Sequence, residues 1–266
     1  MIKALITGGT GSIGQALVHQ MSQDIEEWDI AIFSRHEADL VSMHYRYPQY
    51  KYIAGDVSDD DEVFRATIGM NYVFHLAALK HVDICEQQSM EAILINEIGT
   101  MNVINACLWN ECRMVNMSSD KAINPANVYG RTKANAEAMV RQAGFVSVRS
   151  GNVLWSSASV LPRWKEQLKE KNCIELTDGR MTRFFIHPAE LTRFMLKVRD
   201  EGGVQTVPMR AFRLIDIAEE FVERFGNAKS EVKITGLRLG ERLHEYRDEN
   251  TSSENNICTD MNYIFE

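Results

Sequence analysis

The sequence has few cysteines and no pair of histidines spaced to bind a metal from one helix. The five cysteines are scattered and odd in number, and their spacing matches no zinc motif. We therefore expect reduced thiols in a cytoplasmic protein and no metal site. These absences exclude a small disulfide-stabilised secreted domain and a zinc-dependent fold.

Long apolar runs and an excess of positive charge are also absent. No stretch approaches the roughly 20 apolar residues that a membrane-spanning helix needs, and Met1–Ile6 leads directly into a strand pattern rather than a signal peptide. The formal net charge of −8 at pH 7 argues against a general nucleic-acid-binding protein. We expect no membrane or nucleic-acid partner, and 266 residues suffice for one or two domains.

A glycine-rich turn follows the first predicted strand. The apolar segment Lys3–Thr7 is followed by Gly-Gly-Thr-Gly-Ser-Ile-Gly, and a helical pattern begins there. Backbone N–H groups and the helix dipole at such a junction attract phosphate. A flexible glycine loop is the simpler alternative. We predict cofactor contacts for Gly8, Thr10, Gly11, Ser12, Ile13 and Gly14.

The second predicted strand, Asp29–Phe33, ends in Ser34 and Arg35 rather than in an acidic residue. A carboxylate there would bind a ribose 2′-hydroxyl, whereas a guanidinium favours a 2′-phosphate. The pattern therefore predicts NADP rather than NAD, although Arg35 is also compatible with a solvated loop.

Strands and helices alternate up to Val148, which predicts an α/β protein with a Rossmann-like, doubly wound parallel sheet. We predict a nucleotide-binding domain over 1–150, to which 181–206 returns. A smaller substrate-binding part covers 151–180 and 207–266. Within it, 248–256 is polar and is predicted to be held loosely.

The stretch Met117–Lys133 contains a full set of acid–base groups. Tyr129 and Lys133 are four residues apart and share a helix face, where an ammonium lowers the pKa of a phenol. Asp120 and Lys121 follow an apolar strand, which would deliver them into a cleft. A strand end followed by a solvated helix face is the alternative reading.

These motifs resemble the extended short-chain dehydrogenase/reductase family. Further segments resemble its inverting UDP-N-acetylglucosamine 4,6-dehydratases, and the match runs from residue 3 to about residue 247. The segments are A-A-L-K-H-V from Ala77, S-S-D-K-A-I-N-P from Ser118, G-N-V from Gly151, T-D-G-R-M-T-R-F from Thr177 and R-L-G-E-R-L-H-E from Arg238.

The resemblance implies a UDP-sugar substrate, a homo-oligomer and tightly held NADP that is reduced and reoxidised in each turnover. Tyr129, assisted by Lys133, would take the 4-hydroxyl proton of the sugar. Protonated Asp120 would help the 6-hydroxyl leave, and Lys121 would act at C5, where a lysine suggests inversion. Further implied cofactor contacts are Asp56, Val57, Ala77, Lys80, Asn96, Tyr129, Lys133 and Val153, and implied substrate contacts are Lys80, Asn152, Ser157, Ser159, Val160, Arg183, Arg238 and Glu241.

The sequence departs from this family in one loop. The family segment G-S-R-G-S-V is replaced here by residues 155–160, so Trp155 stands at a glycine and Ser157 at the arginine. Two alternatives to dehydration therefore stay open. One is a UDP-sugar 4- or 5-epimerase, and the other is a non-catalytic NADP-binding sensor.

Overall fold

The computed structural model describes residues 1–157, 159–238 and 240–265. They form two compact units, one containing Met1–Arg149 with Pro188–Val207, the other Ser150–His187 with Pro208–Glu266. The prediction that residues 181–206 return to the first domain is wrong for 181–187. These residues form a strand that pairs within the second unit, a choice of partner that local sequence does not encode.

The first unit is built on a seven-stranded sheet. Its strands are β1 (Ile2–Thr7), β2 (Trp28–Ser34), β3 (Lys51–Ala54), β4 (Tyr72–His75), β5 (Arg113–Ser119), β6 (Val146–Ser150) and, late in the chain, β10 (Gly203–Thr206). Their order is β10-β6-β5-β4-β1-β2-β3, with parallel pairing. Successive strands are added to one side of β1 up to β3 and to the other side from β4 onward. This change of side is typical of a doubly wound sheet, so the predicted α/β fold is confirmed.

Helices cover this sheet, which explains why its strands are almost continuously apolar. They are α1 (Ser12–Ser22), α2 (Glu37–Arg46), α3 (Asp60–Thr67), α4 (Val82–Gln87), α5 (Ser89–Ile93), α6 (Gly99–Trp109), α7 (Val128–Gln142) and α9 (Pro188–Lys197). Helices α3, α6 and α7 pack side by side, and α1 packs against α9.

A π-helical segment, Leu94–Ile98, joins α5 to α6 and makes one long helical run. The sequence predicts one long helix over Met90–Trp109 with Ile93 and Asn96 both facing inward; Asn96 is fully buried as predicted, but Ile93 is 37% exposed. A wider π turn rotates the residues before it relative to those after it. The π segment therefore places Asn96 in the interior.

The second unit has its own core, centred on Trp164, Phe212 and Phe221. Residue 253 is fully buried, and Ser253 Oγ contacts Thr182 Oγ1 at 2.7 Å, so the segment predicted to be loosely held is anchored. One sheet has the order β11-β9-β7 and a second pairs β12 with β8. The elements are β7 (Asn152–Val153), α8 (Val160–Lys171), β8 (Cys173–Leu176), β9 (Thr182–Ile186), β11 (Arg210–Arg213), α10 (Leu214–Phe225), β12 (Glu231–Ile234) and α11 (Asn262–Phe265).

Candidate active site

The glycine-rich turn lies at the carboxyl end of β1. Gly8 has φ +66°, and a Cβ atom there would lie 2.7 Å from Ala77 N, so only glycine allows this approach to the end of β4. Gly11 is the N-cap of α1 and supplies no side-chain cap. The N–H groups and the dipole at the start of a helix attract phosphate, which is the ligand predicted for this turn. Thr10, Ser12, Ile13 and Gly14 lie on this turn and the start of α1.

Two polar side chains lie at the end of β2, where Ser34 is the last residue of the strand and Arg35 follows it. Ser34 Oγ contacts Thr10 Oγ1 at 2.8 Å, which joins the end of β2 to the glycine-rich turn. Arg35 is half-exposed, and its Nη1 lies 3.5 Å from Asp56 Oδ2 and 3.9 Å from Glu91 Oε1. These ion pairs are long and solvated, so the guanidinium can bind an added phosphate at little cost.

The start of α7 is fixed by three contacts. Asn127 Oδ1 accepts a hydrogen bond from Gly130 N at 2.8 Å, and Glu86 Oε1 accepts one from Val128 N at 2.6 Å. A Cβ atom at Gly130 would collide with the carbonyl of Lys121, so glycine lets α7 pack against the turn after β5. These contacts set the position of Tyr129, the second residue of the helix.

Tyr129 is surrounded by groups that change its acidity. Burial raises its pKa to about 12, while Lys121 and a hydrogen bond with Ser119 oppose the rise and Asp120 adds to it. Lys121 and Ser119 therefore act on this pKa, and the effect expected of Lys133 stays a prediction. Sequence reasoning missed Ser119. Its place at the end of β5, directly before Asp120, was the available signal.

Lys133 is buried beneath this site, with 3% of its surface exposed. Its Nζ donates a hydrogen bond to Met117 O at 2.8 Å. Burial lowers its pKa to about 8, and the carboxylate of Glu137 opposes this change. Near neutral pH the amine is therefore close to its titration point.

Asp120 and Lys121 form an ion pair at the end of β5. Lys121 Nζ lies 3.1 Å from Asp120 Oδ1, and Asp120 is 1% exposed. They form a single 3₁₀ turn, Asp120–Ala122, capped by the Ser119 side chain. The structure thus brings together all four predicted catalytic residues, Asp120, Lys121, Tyr129 and Lys133, around one strand end and one helix start.

Asn96 belongs to a buried network and has no surface for direct ligand contact. Its Oδ1 accepts from Leu79 N at 2.8 Å, and its Nδ2 donates to Leu79 O at 2.9 Å and Thr132 Oγ1 at 3.0 Å. Thr132 Oγ1 in turn donates to Tyr129 O at 2.9 Å. The predicted cofactor contact of Asn96 is corrected, since its amide is used to link the loop after β4 to α7.

The remaining predicted residues of the first unit differ in exposure. Val57 is buried, and Lys80 is exposed on the loop after β4. Ala77 N lies 3.4 Å from Thr7 Oγ1. Ala77 and Lys80 therefore stay predictions on an accessible loop, whereas any contact by Val57 must use its backbone.

The second unit carries the altered loop. Trp155 has φ +55°, a left-handed conformation that favours the glycine of the family. Its Nε1 donates to Ile264 O at 3.1 Å, which holds the strained residue in place. Ala158 lies outside the described residues. Asn152 and Val153 form β7, Ser157 is exposed, Ser159 is the N-cap of α8, and Val160 begins that helix.

Arg183 does not present a free fork for a diphosphate. Its Nη1 donates to Thr182 O and Leu243 O, its Nη2 to Arg242 O at 2.8 Å, and its Nε lies 3.9 Å from Glu245. The predicted substrate contact of Arg183 is therefore corrected, because the guanidinium fastens a loop to β9.

Arg238 and Glu241 form a local turn in that loop. Arg238 N donates to Glu241 Oε2 at 3.0 Å, and Glu241 N donates to Arg238 O at 3.2 Å. The substrate contacts predicted for both residues stay predictions. Among the described residues no group of three His, Cys, Asp or Glu side chains is arranged to hold a metal ion.

The sequence matches the family described as polysaccharide biosynthesis protein over residues 4–265. The chain belongs to this family. Its fold is that of the extended short-chain dehydrogenases/reductases.

Named relatives cover most of the chain. A Campylobacter jejuni protein named UDP-N-acetylglucosamine 4,6-dehydratase (inverting) is 36% identical over 91% of this chain and 75% of its own. A Rickettsia rickettsii protein named UDP-glucose 4-epimerase is 35% identical over 91% and 76%. A Methanocaldococcus jannaschii protein named uncharacterized membrane protein MJ1061 is 36% identical over 91% and 78%.

A solved structure is similarly close. The X-ray structure of Pen from Bacillus thuringiensis superimposes with a TM-score of 0.88 at 34% identity, over 92% of this chain and 83% of that one. The relatives thus combine one fold with at least two named sugar-nucleotide activities, dehydration and epimerisation.

Proposed function

We propose that the protein dehydrates a UDP-N-acetylhexosamine, with UDP-N-acetylglucosamine the favoured substrate, to a 4-keto-6-deoxy sugar nucleotide inverted at C5. The observation that carries this proposal is the Asp120–Lys121 ion pair beside Tyr129. Oxidation alone needs only a tyrosine and a lysine, whereas loss of water needs a second acid and a second base. The C. jejuni relative supports the same reaction.

NADP would supply the hydride acceptor for C4 and later return the hydride to C6. The turn at Gly8, which a Cβ atom would fill, fits the pyrophosphate, and Arg35 fits a 2′-phosphate. Asp56, two residues after β3, would contact the adenine, as the family resemblance implies. The close approach of Gly8 to Ala77 keeps the space between the glycine-rich turn and the end of β4 narrow.

Tyr129 takes the proton of the sugar 4-hydroxyl in this proposal. Its phenol is a weak acid in its buried position, so proton abstraction needs nearby positive charge. Lys121 supplies such charge directly, and buried Lys133 adds it from below. The Ser119 hydroxyl orients the phenol through its hydrogen bond.

Asp120 and Lys121 act together at the elimination step. Lys121 must be a neutral amine to take the C5 proton, and Asp120 must be protonated to release the 6-hydroxyl as water. A single proton transfer from Lys121 Nζ to Asp120 Oδ1, 3.1 Å away, produces both forms. After elimination Lys121 holds the C5 proton and Asp120 is ionised, which is the ion pair in the structure.

We also propose a homo-oligomer in the cytoplasm, with no membrane or nucleic-acid partner. In the described chain one helical run, Ser89–Trp109, is long and apolar enough to cross a membrane by length and composition, but 56% of that window is buried inside the protein. Its exposed apolar side chains include Leu94, Ile98 and Met101. A second protein copy covers such a stripe as well as lipid does, and the acidic net charge disfavours anionic membranes and nucleic acids.

The test is the mass of the product. Purified protein with NADP and UDP-N-acetylglucosamine should yield a sugar nucleotide lighter by one water, carrying deuterium at C5 when the reaction runs in heavy water. A product of unchanged mass would favour the epimerase reading, which the R. rickettsii relative supports. Cofactor binding without turnover of any UDP-sugar would favour the sensor.

A further inference from the structure

Helix α7 carries a third charged residue on the face of Tyr129 and Lys133. Glu137 lies four residues beyond Lys133, and the two side chains are 4% and 3% exposed. Opposite charges at this spacing are neighbours on a helix and ordinarily pair with each other. In water-poor surroundings that attraction is strong, so an arrangement that avoids a direct pair needs a cause.

The cause is a set of competing donors on the Glu137 carboxylate. Arg149 Nη2 donates to Oε2 at 2.6 Å and Arg149 Nε donates to Oε1 at 2.8 Å, a bidentate contact from β6. Ser118 Oγ donates to Oε1 at 2.6 Å from β5. Lys133 Nζ instead donates to Met117 O. The carboxylate is thus held by three donors, none of which is the lysine.

The charges in this cluster do not cancel. Lys133 and Arg149 contribute two positive charges and Glu137 one negative charge. The other titratable groups near Lys133 are Cys85 on α4 and His75 on β4, and burial gives them pKa values of about 11 and about 3, so both are neutral near pH 7. One positive charge is therefore in excess beneath Tyr129.

Tyr129 itself, the Asp120–Lys121 pair and Glu86, whose Oε1 accepts from Val128 N at 2.6 Å, also lie near the start of α7. The Glu86 carboxylate opposes the positive charge of the cluster at this end of the helix, while Asp120 and Lys121 pair with each other. A charged Lys133 then favours the phenolate of Tyr129, which is the state that proton abstraction from a sugar requires.

We propose that the Glu137–Arg149 pair is a positioning device for Lys133. Glu137 keeps the buried ammonium charged, while Arg149 and Ser118 hold the Glu137 carboxylate so that it does not bind the ammonium directly. The inference rests on the proposed role of Tyr129 and Lys133 as the acid–base pair. The opposing effects of burial and of Glu137 on the Lys133 amine agree with it.

The experiment compares two variants that break the same ion pair from opposite sides. Protein labelled with ¹³C at lysine Cε is titrated without cofactor or sugar nucleotide, and the Lys133 resonance is assigned from its loss in Lys133→Met. Glu137→Gln should move the Lys133 midpoint to lower pH by roughly 1 unit, the lower end of the effect of a neighbouring charge. Arg149→Met should move it to higher pH, because the released carboxylate can reach the ammonium.

If the Glu137–Arg149 pair only joins α7 to β6, a different result is expected. Both variants would then lower the melting temperature and leave the lysine midpoint where it is. That result, or a downward shift in Arg149→Met, would overturn the proposal. The double variant Glu137→Gln/Arg149→Gln removes both charges of the ion pair, so neither partner is left without the other, and it serves if a single variant does not fold. It should show the downward shift, and an unchanged midpoint would also overturn the proposal.

The kinetic measurement is the dependence of kcat on pH. Its alkaline limb should move to lower pH in Glu137→Gln and to higher pH in Arg149→Met, and KM should change little. The lysine titration needs no substrate, so it separates this proposal from the proposed function. Opposite midpoint shifts in a protein that converts no UDP-sugar would contradict the dehydratase function alone. Dehydration with an unmoved midpoint would contradict the positioning role alone.

Discussion

At the scale of single residues, the candidate site depends on neighbours that set charge. A buried phenol with a pKa of about 12 is a poor base by itself. Lys121 and Lys133 supply positive charge from different positions, since Lys121 pairs with Asp120 whereas Lys133 is buried and close to its titration point. Tyr129 and Lys133 were predictable from their spacing. The hydrogen bond from Ser119 was missed, although its place at the end of β5, directly before Asp120, was the one available signal.

Lys121→Ala should separate oxidation from elimination. The variant still has Tyr129 and Lys133, so C4 oxidation should proceed, although more slowly because the positive charge of Lys121 beside the phenol is also lost, and the C5 proton has no base. Reduced cofactor should therefore accumulate on the enzyme and be seen as near-ultraviolet absorbance after mixing with UDP-N-acetylglucosamine. Tyr129→Phe is the control, since it should lower turnover by ~10²-fold or more and show no such absorbance. Release of product at the normal rate by Lys121→Ala would remove Lys121 from the base role.

Arg35→Ala should weaken NADP binding and spare NAD. The guanidinium is half-exposed and only loosely paired with Asp56 and Glu91, so it is available to a 2′-phosphate. Loss of one charge-assisted contact corresponds to about 1–3 kcal/mol. Isothermal calorimetry with both cofactors measures the difference, and Arg46→Ala, on exposed α2, is the matched control. Equal affinities of the wild-type protein for NADP and NAD would contradict the cofactor assignment.

Lys133→Met should stabilise the fold in a pH-dependent way. The folded-state pKa of about 8 is below the ordinary value of 10.5, so the unfolded chain binds more protons between these values. The lysine therefore makes the folded state less stable below pH 8, by about 3 kcal/mol, and this penalty disappears as pH rises toward 10.5. Urea unfolding at pH 7 and pH 10 should show the advantage of Lys133→Met shrinking by that amount. A constant difference between the proteins would mean that the amine is not titrating near pH 8.

At the scale of elements, the strands and helices of the first unit were predictable because apolar runs and glycines mark them clearly. The π segment was not, since Leu94–Ile98 has an ordinary helical composition and the wider turn satisfies Asn96 and its distant partners Leu79 and Thr132. Strand β9 was assigned to the wrong unit for a similar reason. Its apolar sequence suits any sheet, and contacts with β7 and β11 decide where it lies.

Gly130→Ala tests how far the start of α7 controls the site. A methyl group at this position collides with the Lys121 carbonyl, so either the helix or the turn after β5 must move. We expect a loss of roughly 1–3 kcal/mol of stability, typical of overpacking, together with reduced turnover. Gly179→Ala is the control, because its nearest neighbour would be 3.9 Å away. Thermal unfolding and product formation are measured for both variants. Wild-type stability and turnover in Gly130→Ala would contradict the tight packing at this position.

At the scale of the whole molecule, the chain forms two compact units. The first contains the glycine-rich turn, predicted to bind phosphate, and the predicted acid–base groups, both of which stood out in the sequence by their glycines and charged motifs. The second carries the altered Trp155–Ser159 loop, where a tryptophan keeps a glycine-like backbone through its contact with Ile264. Arg183 shows that a residue in a matching motif need not have the role that the motif implies. Its guanidinium donates to the backbone carbonyls of Leu243 and Arg242 and so stabilises the fold.

The proposed homo-oligomer is supported by the surface of the long helical run Ser89–Trp109. Its exposed side chains Leu94, Ile98 and Met101 form an apolar stripe that a lone copy would leave in water. Covering such a stripe contributes about 25 cal/mol for each Å² of apolar surface removed from water, so introducing charge there should prevent association. Leu94→Glu/Met101→Glu should give a monomer by light scattering, whereas Ile25→Glu, at an isolated exposed residue, should leave the wild-type oligomer unchanged. A monomeric wild-type protein would contradict the proposed homo-oligomer. Lipid would then be the alternative partner of the apolar stripe, and binding to detergent micelles or vesicles would test it.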